Sequence, residues 1–161
     1  MHPVQPSLKH QQPGLVRLAT ERDLGRLERI DQQIFPEEPY PFFVLRQLFE
    51  VHGGRFLVLE HQEELAGYAL LATTPDHAQS WVLGLGVLAQ LRNLGYGRQL
   101  MEESIALLTA DRVGELRLSV DRENTVALHI YRSLGFTLAG ERPDYFGPGD
   151  DRLILRLPLR P

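Results

Sequence analysis

The segment LRNLGYGRQLM, residues 91–101, places Arg92 and two glycines, Gly95 and Gly97, at the start of a predicted helix. A helix N-terminus presents unpaired N–H groups and the positive end of the helix dipole, so it is suited to binding a phosphate. Glycine leaves those amides uncovered and permits a positive φ, and an arginine adds charge-assisted hydrogen bonds. The spacing is compatible with a diphosphate cradle, although an ordinary glycine-containing loop with a solvated arginine fits the same residues.

Two better-known nucleotide-binding patterns do not fit the chain. A Walker loop requires a Gly-Lys pair, which does not occur in the sequence. The stretch GLGVLA, residues 84–89, fits G-x-G-x-x-A, but it does not open directly into a helix. In addition, no acidic residue ends a strand about 20 residues later, as a dinucleotide site requires. We therefore reject both patterns.

A second pattern follows the next predicted strand. RLSVDRENTVALHIYRSLGF, residues 117–136, contains N-x-x-A-x-x-x-Y-x-x-x-G-F, in which Asn124 can cap a helix and Tyr131 lies on its apolar stripe. Together with V-x-x-x-x-R-x-x-G-x-G from Val87 to Gly97, it resembles the GNAT superfamily of acyl-CoA-dependent N-acetyltransferases. Within that superfamily the chain is most similar to the ribosomal-protein and protein N-terminal acetyltransferases, through NTVALHIYRSLGF, DYF at 144–146 and FPEEPYP at 35–41.

The resemblance implies an acetyl-CoA site built from three segments. The backbone of Leu85, Gly86 and Val87 would pair with the pantetheine arm, and the Val87 N–H would donate to the thioester carbonyl. Asn124 would hydrogen-bond the cofactor arm, in addition to capping its helix. Family members often have glycine where this chain has asparagine at 93. The diphosphate would rest on Arg92, Asn93, Leu94, Gly95, Tyr96, Gly97 and Arg98.

The resemblance also implies how protons are handled. Tyr131 would be the general acid, because the reaction expels a thiolate and a positioned phenol can supply its proton; a buried core aromatic is the alternative. The chain departs from its nearest relatives at Ser119, where they have a glutamate base. The base is then missing, replaced by ordered water, or relocated to one of Glu37, Glu38 and His129. Loss of a strong base favours an α-amine, with a pKa of about 7.7–8.0, over a lysine amine at about 10.4.

The resemblance implies that the segments containing Tyr40 and Tyr145 line the acceptor site, as they do in the family. Phe42 and Phe146 lie in the same segments, and a place in the core fits them at least as well. The expected acceptor is a protein or peptide N-terminal α-amine. A small amine (an antibiotic, polyamine or amino acid) and a non-catalytic acyl-CoA-binding module stay open as alternatives. The candidate acceptor-binding residues are Phe35, Pro36, Tyr40, Ser119 and Tyr145.

Composition limits the remaining classes. The 161 residues include no cysteine, which excludes thiolate chemistry. The formal net charge of −4 provides no global cationic field for nucleic acid. The histidines and carboxylates show no metal-ligand spacing, and no apolar run approaches the length of a membrane span. We therefore expect a cytoplasmic protein without a metal, nucleic-acid or membrane partner, either a monomer or a homodimer.

The elements that would position these residues follow from hydrophobic periodicity. We expect a flexible tail over 1–14 and one α/β (α+β) domain over 15–161. The resemblance implies a mixed, mostly antiparallel sheet of about seven strands, with helices on both faces and a splay at the acetyl-CoA site. Helices are predicted from about residue 21 to 34, 42–51, 95–110 and 125–134. Strands are predicted at 15–20, 55–61, 64–74, 80–87, 115–120, 136–146 and 151–159.

Overall fold

The computed structural model describes residues 14–160, which form one seven-stranded sheet and four α-helices. The strands are β1 (Leu15–Leu18), β2 (Phe56–His61), β3 (Glu64–Thr73), β4 (Gln79–Val87), β5 (Glu115–Val120), β6 (Thr137–Arg142) and β7 (Arg152–Pro158). The helices are α1 (Leu24–Ile34), α2 (Phe42–His52), α3 (Tyr96–Ala110) and α4 (Thr125–Ser133). Each expected helix and strand is present, and within the described range no helix is long and apolar enough to cross a membrane.

The sheet has the order β1-β2-β3-β4-β5-β7-β6. All neighbouring strands are antiparallel except β4 and β5, which are parallel and are joined through α3. Leu27 of α1 is buried in a cluster with Tyr68 of β3 on one face of the sheet. Leu108 of α3 and Leu128 of α4 belong to a second buried cluster. The fold therefore has three layers, with the mixed sheet in the middle as predicted.

The sheet opens in its centre, between β4 and β5. These two strands pair only where Gln79–Trp81 runs beside Glu115–Arg117, although β4 continues to Val87. Leu83 is an extra residue on β4, because Leu70 of β3 faces Gly84 and the next residue, Leu71, faces Val82. Such a β-bulge bends its strand and increases the local twist. The bulge thus accompanies the separation that leaves a gap in the middle of the sheet.

Two boundaries differ from the sequence predictions. Residues 1–13 of the expected tail lie outside the described residues, but Gly14 is buried and its carbonyl accepts a hydrogen bond of 2.6 Å from Gln99 Nε2. The predicted strand over 136–146 is wrong at its end, since β6 stops at Arg142. Asp144 has a φ of 53° and its Oδ1 accepts from the Gly149 N–H at 2.7 Å, so this segment is a loop.

A buried ion pair joins the start of α1 to the edge of the sheet. The Arg17 guanidinium donates to both oxygens of Asp23 at 2.7 and 2.9 Å, and also to Glu60 of β2 at 2.7 Å. The Thr20 N–H donates to the same Asp23 carboxylate at 2.7 Å. Asp23 is only 1% exposed. The hydrogen bonds from Arg17 hold the pKa of Asp23 well below its usual range, despite the opposing effect of burial.

Candidate active site

The backbone of β4 faces the gap in the sheet. The Leu88 N–H donates to the Ala66 carbonyl at 2.8 Å, toward β3. Because an antiparallel ladder alternates, the backbone groups of Val87 and Leu85 point to the opposite side, into the gap. Arg92 Nε donates to the Val87 carbonyl at 3.2 Å. The Val87 N–H thus points into the gap between β4 and β5.

Two glycines of β4 allow other groups to approach this strand closely. A Cβ at Gly86 would lie 2.5 Å from Ile34 Cγ2, at the end of α1. A Cβ at Gly84 would lie 2.9 Å from the Tyr68 hydroxyl. Contacts this short do not occur for real Cβ atoms, so side chains at these positions would displace α1 or Tyr68. The G-x-G spacing on β4 therefore has a packing cause that is unrelated to nucleotide binding.

The start of α3 has the conformation expected of an anion site. Gly95 precedes α3 with a φ of 86°, and Asn93 also adopts a positive φ of 63°. Asparagine tolerates this left-handed region better than most residues, so the departure from glycine at 93 preserves the local conformation. A Cβ at Gly95 or at Gly97 would meet no atom within 4 Å. The first turn of α3 therefore opens onto free space that could receive a diphosphate.

We call residues 92–98, at the start of α3, the cradle. Their side chains differ in their environments. Tyr96 is buried and its ring packs edge-on against His61 at 5.6 Å, so only its backbone belongs to the cradle. Arg98 Nη2 donates to Ser133 Oγ of α4. Leu94 is partly exposed. The Arg98 side chain thus connects the cradle to α4 by a hydrogen bond.

A groove of about 480 Å³ runs between the cradle and α4. Asn124 lies at the start of α4, where its Oδ1 accepts from the Ala127 N–H at 3.2 Å and caps the helix, while its amide group is exposed. His129 faces this groove, away from the cavity described below, so the proposed relocation of the base to His129 is not supported by its position. The groove is lined by Asn93, Gly95, Arg98, Thr125, Val126, His129 and Ile130.

Tyr131 is buried where α4 packs on the sheet. It is 9% exposed, and its ring centroid lies 5.7 Å from that of Phe136. The backbone of Leu85 faces the gap, and its side chain packs against the same buried cluster. Burial raises the pKa of Tyr131 to about 12, so the hydroxyl is protonated at neutral pH but is a weaker acid than a free phenol. Tyr131 is therefore a core aromatic, and this position is compatible with a proton-donating role.

A second cavity, of about 650 Å³, opens beside the bulge of β4. It brings together three of the predicted acceptor residues, Phe35, Pro36 and Tyr40, and two of the candidate bases. We call it the acceptor cavity. It is lined by Asp31, Ile34, Phe35, Pro36, Glu37, Glu38, Tyr40, Tyr68, Leu83, Gly84, Phe146, Asp150 and Arg152.

Other predicted acceptor residues lie elsewhere. Ser119 sits on β5 opposite Ile154 of β7, and it does not line the acceptor cavity. Tyr145 is also absent from the lining, whereas its neighbour Phe146 is 58% exposed and faces the cavity. The core interpretation of Phe146 is therefore wrong, and that of Phe42 is wrong too, because Phe42 is exposed at the start of α2. Phe42 begins α2, and Phe146 lies in the loop between β6 and β7.

The cavity also contains a buried carboxylate that the motifs did not reveal. Asp31 is 1% exposed; its Oδ2 accepts from the Tyr40 N–H and its Oδ1 accepts from the Tyr68 hydroxyl, both at 2.6 Å. The Tyr40 hydroxyl donates to the Leu83 carbonyl at 2.9 Å. Burial, together with the charge of Asp31, raises the pKa of both tyrosines. A signal was present, because Asp31 lies three residues before Ile34 on the apolar stripe of α1.

The described part of the chain has no group of three or more histidines, aspartates or glutamates that could hold a metal ion. The groups that surround the gap and the acceptor cavity are backbone amides, phenols and carboxylates. A backbone donor faces the gap, phenols lie at Tyr131, Tyr40 and Tyr68, and carboxylates border the acceptor cavity. This donor set suits transfer of a neutral acyl group with proton movement.

Comparison with known proteins agrees with this geometry. A model of the acetyltransferase (GNAT) family matches residues 22–136. The N-alpha-acetyltransferase RimI of Mycobacterium tuberculosis is 31% identical over 139 residues, which cover 84% of this chain and 85% of the relative. The N-alpha-acetyltransferase of Sulfolobus acidocaldarius is 25% identical over 155 residues, covering 89% and 92%. The ribosomal-protein-S18-alanine N-acetyltransferase from Escherichia coli superposes with a TM-score of 0.80 at 25% identity, covering 92% and 95%.

Proposed function

This chain belongs to the acetyltransferase (GNAT) family, and we propose that it transfers an acetyl group from acetyl-CoA to the α-amine of a protein or peptide N-terminus. The observation that carries the proposal is the course of β4. This strand borders the acceptor cavity at Leu83 and Gly84, faces the gap at Val87, and leads directly to the cradle before α3. One strand thus connects a place for the amine, a place for the thioester and a place for the diphosphate.

The residues present fit acetyl-CoA. When bound, acetyl-CoA supplies an acetyl group activated as a thioester. The backbone of Leu85, Gly86 and Val87 lies where it would pair with the pantetheine arm, and the Val87 N–H would stabilise developing negative charge on the acetyl oxygen. The amides at the start of α3, with Arg92 and Arg98, would hold the diphosphate.

Proton movement accompanies the exchange of bonds. The amine nitrogen forms a bond to the acetyl carbon, the carbon–sulfur bond breaks, and Tyr131 would give its phenol proton to the departing sulfur. The proton that the amine loses would pass to water or to Glu37 or Glu38, which are exposed and border the acceptor cavity. An α-amine suits this arrangement because a substantial fraction of it is already neutral near pH 7.

The acceptor class is supported by the names of the relatives and is tested by a matched panel. CoA release from acetyl-CoA is measured with a peptide that has a free N-terminus, with the same peptide N-blocked and carrying an internal lysine, and with a mixture of small amines. We expect turnover with the free N-terminus alone. Turnover with small amines alone would replace the proposal by a small-amine acetyltransferase. Bound acetyl-CoA without turnover would indicate a non-catalytic binding module.

The pH dependence of the reaction identifies the base. If water or an exposed carboxylate takes the proton, kcat/KM should rise with pH along one limb whose midpoint is the pKa of the acceptor amine, about 7.7–8.0 for an α-amine. Two peptides whose N-terminal pKa values differ should shift that midpoint accordingly. A midpoint of about pH 6–7 that stays fixed between the peptides would instead identify an enzyme base.

A further inference from the structure

Asp31 is a buried carboxylate that the acetyl transfer described above does not use. It lies near the end of α1 and is almost completely covered. Both of its oxygens are occupied by donors from other segments, Tyr40 of the loop over 35–41 and Tyr68 of β3. Burial of a carboxylate is costly unless it is well hydrogen-bonded, so these two bonds are expected to be important for the local structure.

We propose that Asp31 is a positioning residue for the acceptor, which acts by holding Tyr40 and Tyr68 against β4 at the floor of the acceptor cavity. The proposal rests on the proposed acetyltransferase function, because it assigns a role at the site of the amine. Asp31 does not touch the reacting atoms in this scheme. It determines how closely the loop over 35–41, which forms one wall of the acceptor cavity, approaches β4.

The two tyrosines reach consecutive residues of β4. The Tyr40 hydroxyl donates to the carbonyl of Leu83, the bulge residue, at 2.9 Å. The Tyr68 hydroxyl lies so close to Gly84 that a Cβ there would be 2.9 Å away from it. Asp31 is bonded to both tyrosines at 2.6 Å. One carboxylate therefore fixes the Tyr40 backbone and the Tyr68 phenol at the place where β4 bulges and the cavity begins.

The composition of the loop makes this anchor important. Residues 36–41 read PEEPYP, so three of the six positions are prolines without an N–H. Tyr40 thus supplies one of the few amide donors with which this wall can be attached, and its donor is used on Asp31. Without that carboxylate the loop keeps backbone hydrogen bonds only at its two ends, at Phe35 and at Pro41, and we expect its middle to separate from β4.

Asp31→Ala and Asp31→Asn together distinguish positioning from charge. Asparagine can retain both bonds, since Oδ1 can accept from the Tyr40 N–H and Nδ2 can donate to the Tyr68 oxygen, which accepts as well as donates. We expect Asp31→Ala to raise the acceptor KM about tenfold or more, the effect of two lost hydrogen bonds. Asp31→Asn should restore KM to near the wild-type value. Calorimetry should give an unchanged Kd for acetyl-CoA in both variants.

A double-mutant cycle tests whether Asp31 acts through Tyr40. Tyr40→Phe removes the hydroxyl bonded to Leu83 and should also raise the acceptor KM. If Asp31 acts by positioning Tyr40, the double variant Asp31→Ala/Tyr40→Phe should be little worse than Asp31→Ala alone. Additive effects on KM would overturn the proposal. An Asp31→Asn variant as impaired as Asp31→Ala would overturn it as well, because charge would then be the required property.

Asp23→Ala is the matched control. Asp23 is an aspartate with the same 1% exposure just before the same helix, but it lies outside the acceptor cavity. If general destabilisation raised KM, Asp23→Ala would raise it too, and that result would count against the positioning role.

Hydrogen exchange separates this inference from the proposed function. The Tyr40 amide should exchange faster in Asp31→Ala and at the wild-type rate in Asp31→Asn, with β3 unchanged in both. A wild-type protein that acetylates no amine would refute the proposed function, and with it a role in acceptor binding. Unchanged exchange at Tyr40 in Asp31→Ala would refute the anchoring itself, whatever the enzyme acetylates.

Discussion

The Tyr131 side chain is largely buried, and within residues 14–160 no hydrogen bond to its hydroxyl is observed. Its environment disfavours the phenolate, which raises its pKa to about 12. A phenol of this kind keeps its proton at neutral pH and can donate a hydrogen bond to the departing sulfur. We therefore expect proton donation to coincide with cleavage of the carbon–sulfur bond, when negative charge develops on sulfur.

Tyr131→Phe tests this role directly. The substitution removes the hydroxyl and leaves the ring that packs on Phe136, so we expect the melting temperature and the Kd for acetyl-CoA to change little. Loss of a general acid should lower kcat on the order of 10²-fold or more. Steady-state kinetics and calorimetry on the two proteins provide the comparison. Turnover at the wild-type rate would make Tyr131 a core aromatic only.

At the scale of residues, the sequence indicated which residues line the acceptor cavity better than it indicated which hydrogen bonds hold them there. Phe35, Pro36 and Tyr40 lie within six consecutive positions of the chain, and all three line the acceptor cavity. Asp31 and Tyr68 were not predicted, because they are 37 positions apart and belong to no shared motif. Their contact exists only because α1 packs on β3. Long-range hydrogen bonds of this type cannot be derived from spacing along one chain.

Among the elements, α4 depends on Asn124 at its first turn. The side-chain Oδ1 caps the helix through the Ala127 N–H, and the exposed residue directly precedes Thr125, which lines the neighbouring groove. One residue could therefore serve both the stability of α4 and the binding of the cofactor arm.

Two substitutions separate these contributions. Asn124→Ser retains a good N-cap but lacks the amide donor, whereas Asn124→Ala lacks both. We expect Asn124→Ala alone to reduce the free energy of unfolding by about 1 kcal/mol. Both variants should bind acetyl-CoA about three- to tenfold more weakly, as expected for one lost hydrogen bond. Chemical denaturation and calorimetry measure the two effects, and wild-type affinity in Asn124→Ser would limit Asn124 to capping.

The elements themselves were largely predictable, but their irregularities were not. The alternation in β5 and the helical spacing in α4 identified both correctly. The positive φ of Asn93 was not predicted, although the glycine that many family members have there is a signal of a left-handed conformation. Tertiary context selects such conformations, so they follow from the fold rather than from local propensity.

At the scale of the whole molecule, the Arg17 and Asp23 pair links β1, β2 and the start of α1. The pKa of Asp23 is lower in the folded protein than in the unfolded chain, where it is about 3.9. Below that pH the unfolded state binds a proton that the folded state does not bind. Stability from this carboxylate is therefore fully present above about pH 5 and is lost as the pH falls.

Asp23→Asn should reduce the acid sensitivity of the fold. The variant should be less stable than the wild type at pH 7, because arginine then faces a neutral partner. Its free energy of unfolding should fall less steeply below about pH 4. Urea denaturation at a series of pH values measures both curves. Parallel curves would mean that other carboxylates control the acid limb.

The number of strands and the mixed sheet were expected from the resemblance and are confirmed, whereas the bulge at Leu83 was not expected. A bulge is defined by the register between two strands, and periodicity within one strand does not report it. The same limit applies to the end of β6, where hydrogen bonds of Asp144 within the loop replaced the predicted strand.

The gap between β4 and β5 also bears on how the protein behaves before it meets its cofactor. Beyond Trp81, in the part of the chain that the structure describes, β4 has no strand partner toward β5. An unpaired strand edge can recruit another extended chain and so promotes aggregation. A pantetheine arm in the gap would cover this edge, and at 100 times its Kd it would stabilise the folded state by about 2.7 kcal/mol. The supply of acetyl-CoA would then set the lifetime and solubility of the protein, and not only its rate of turnover.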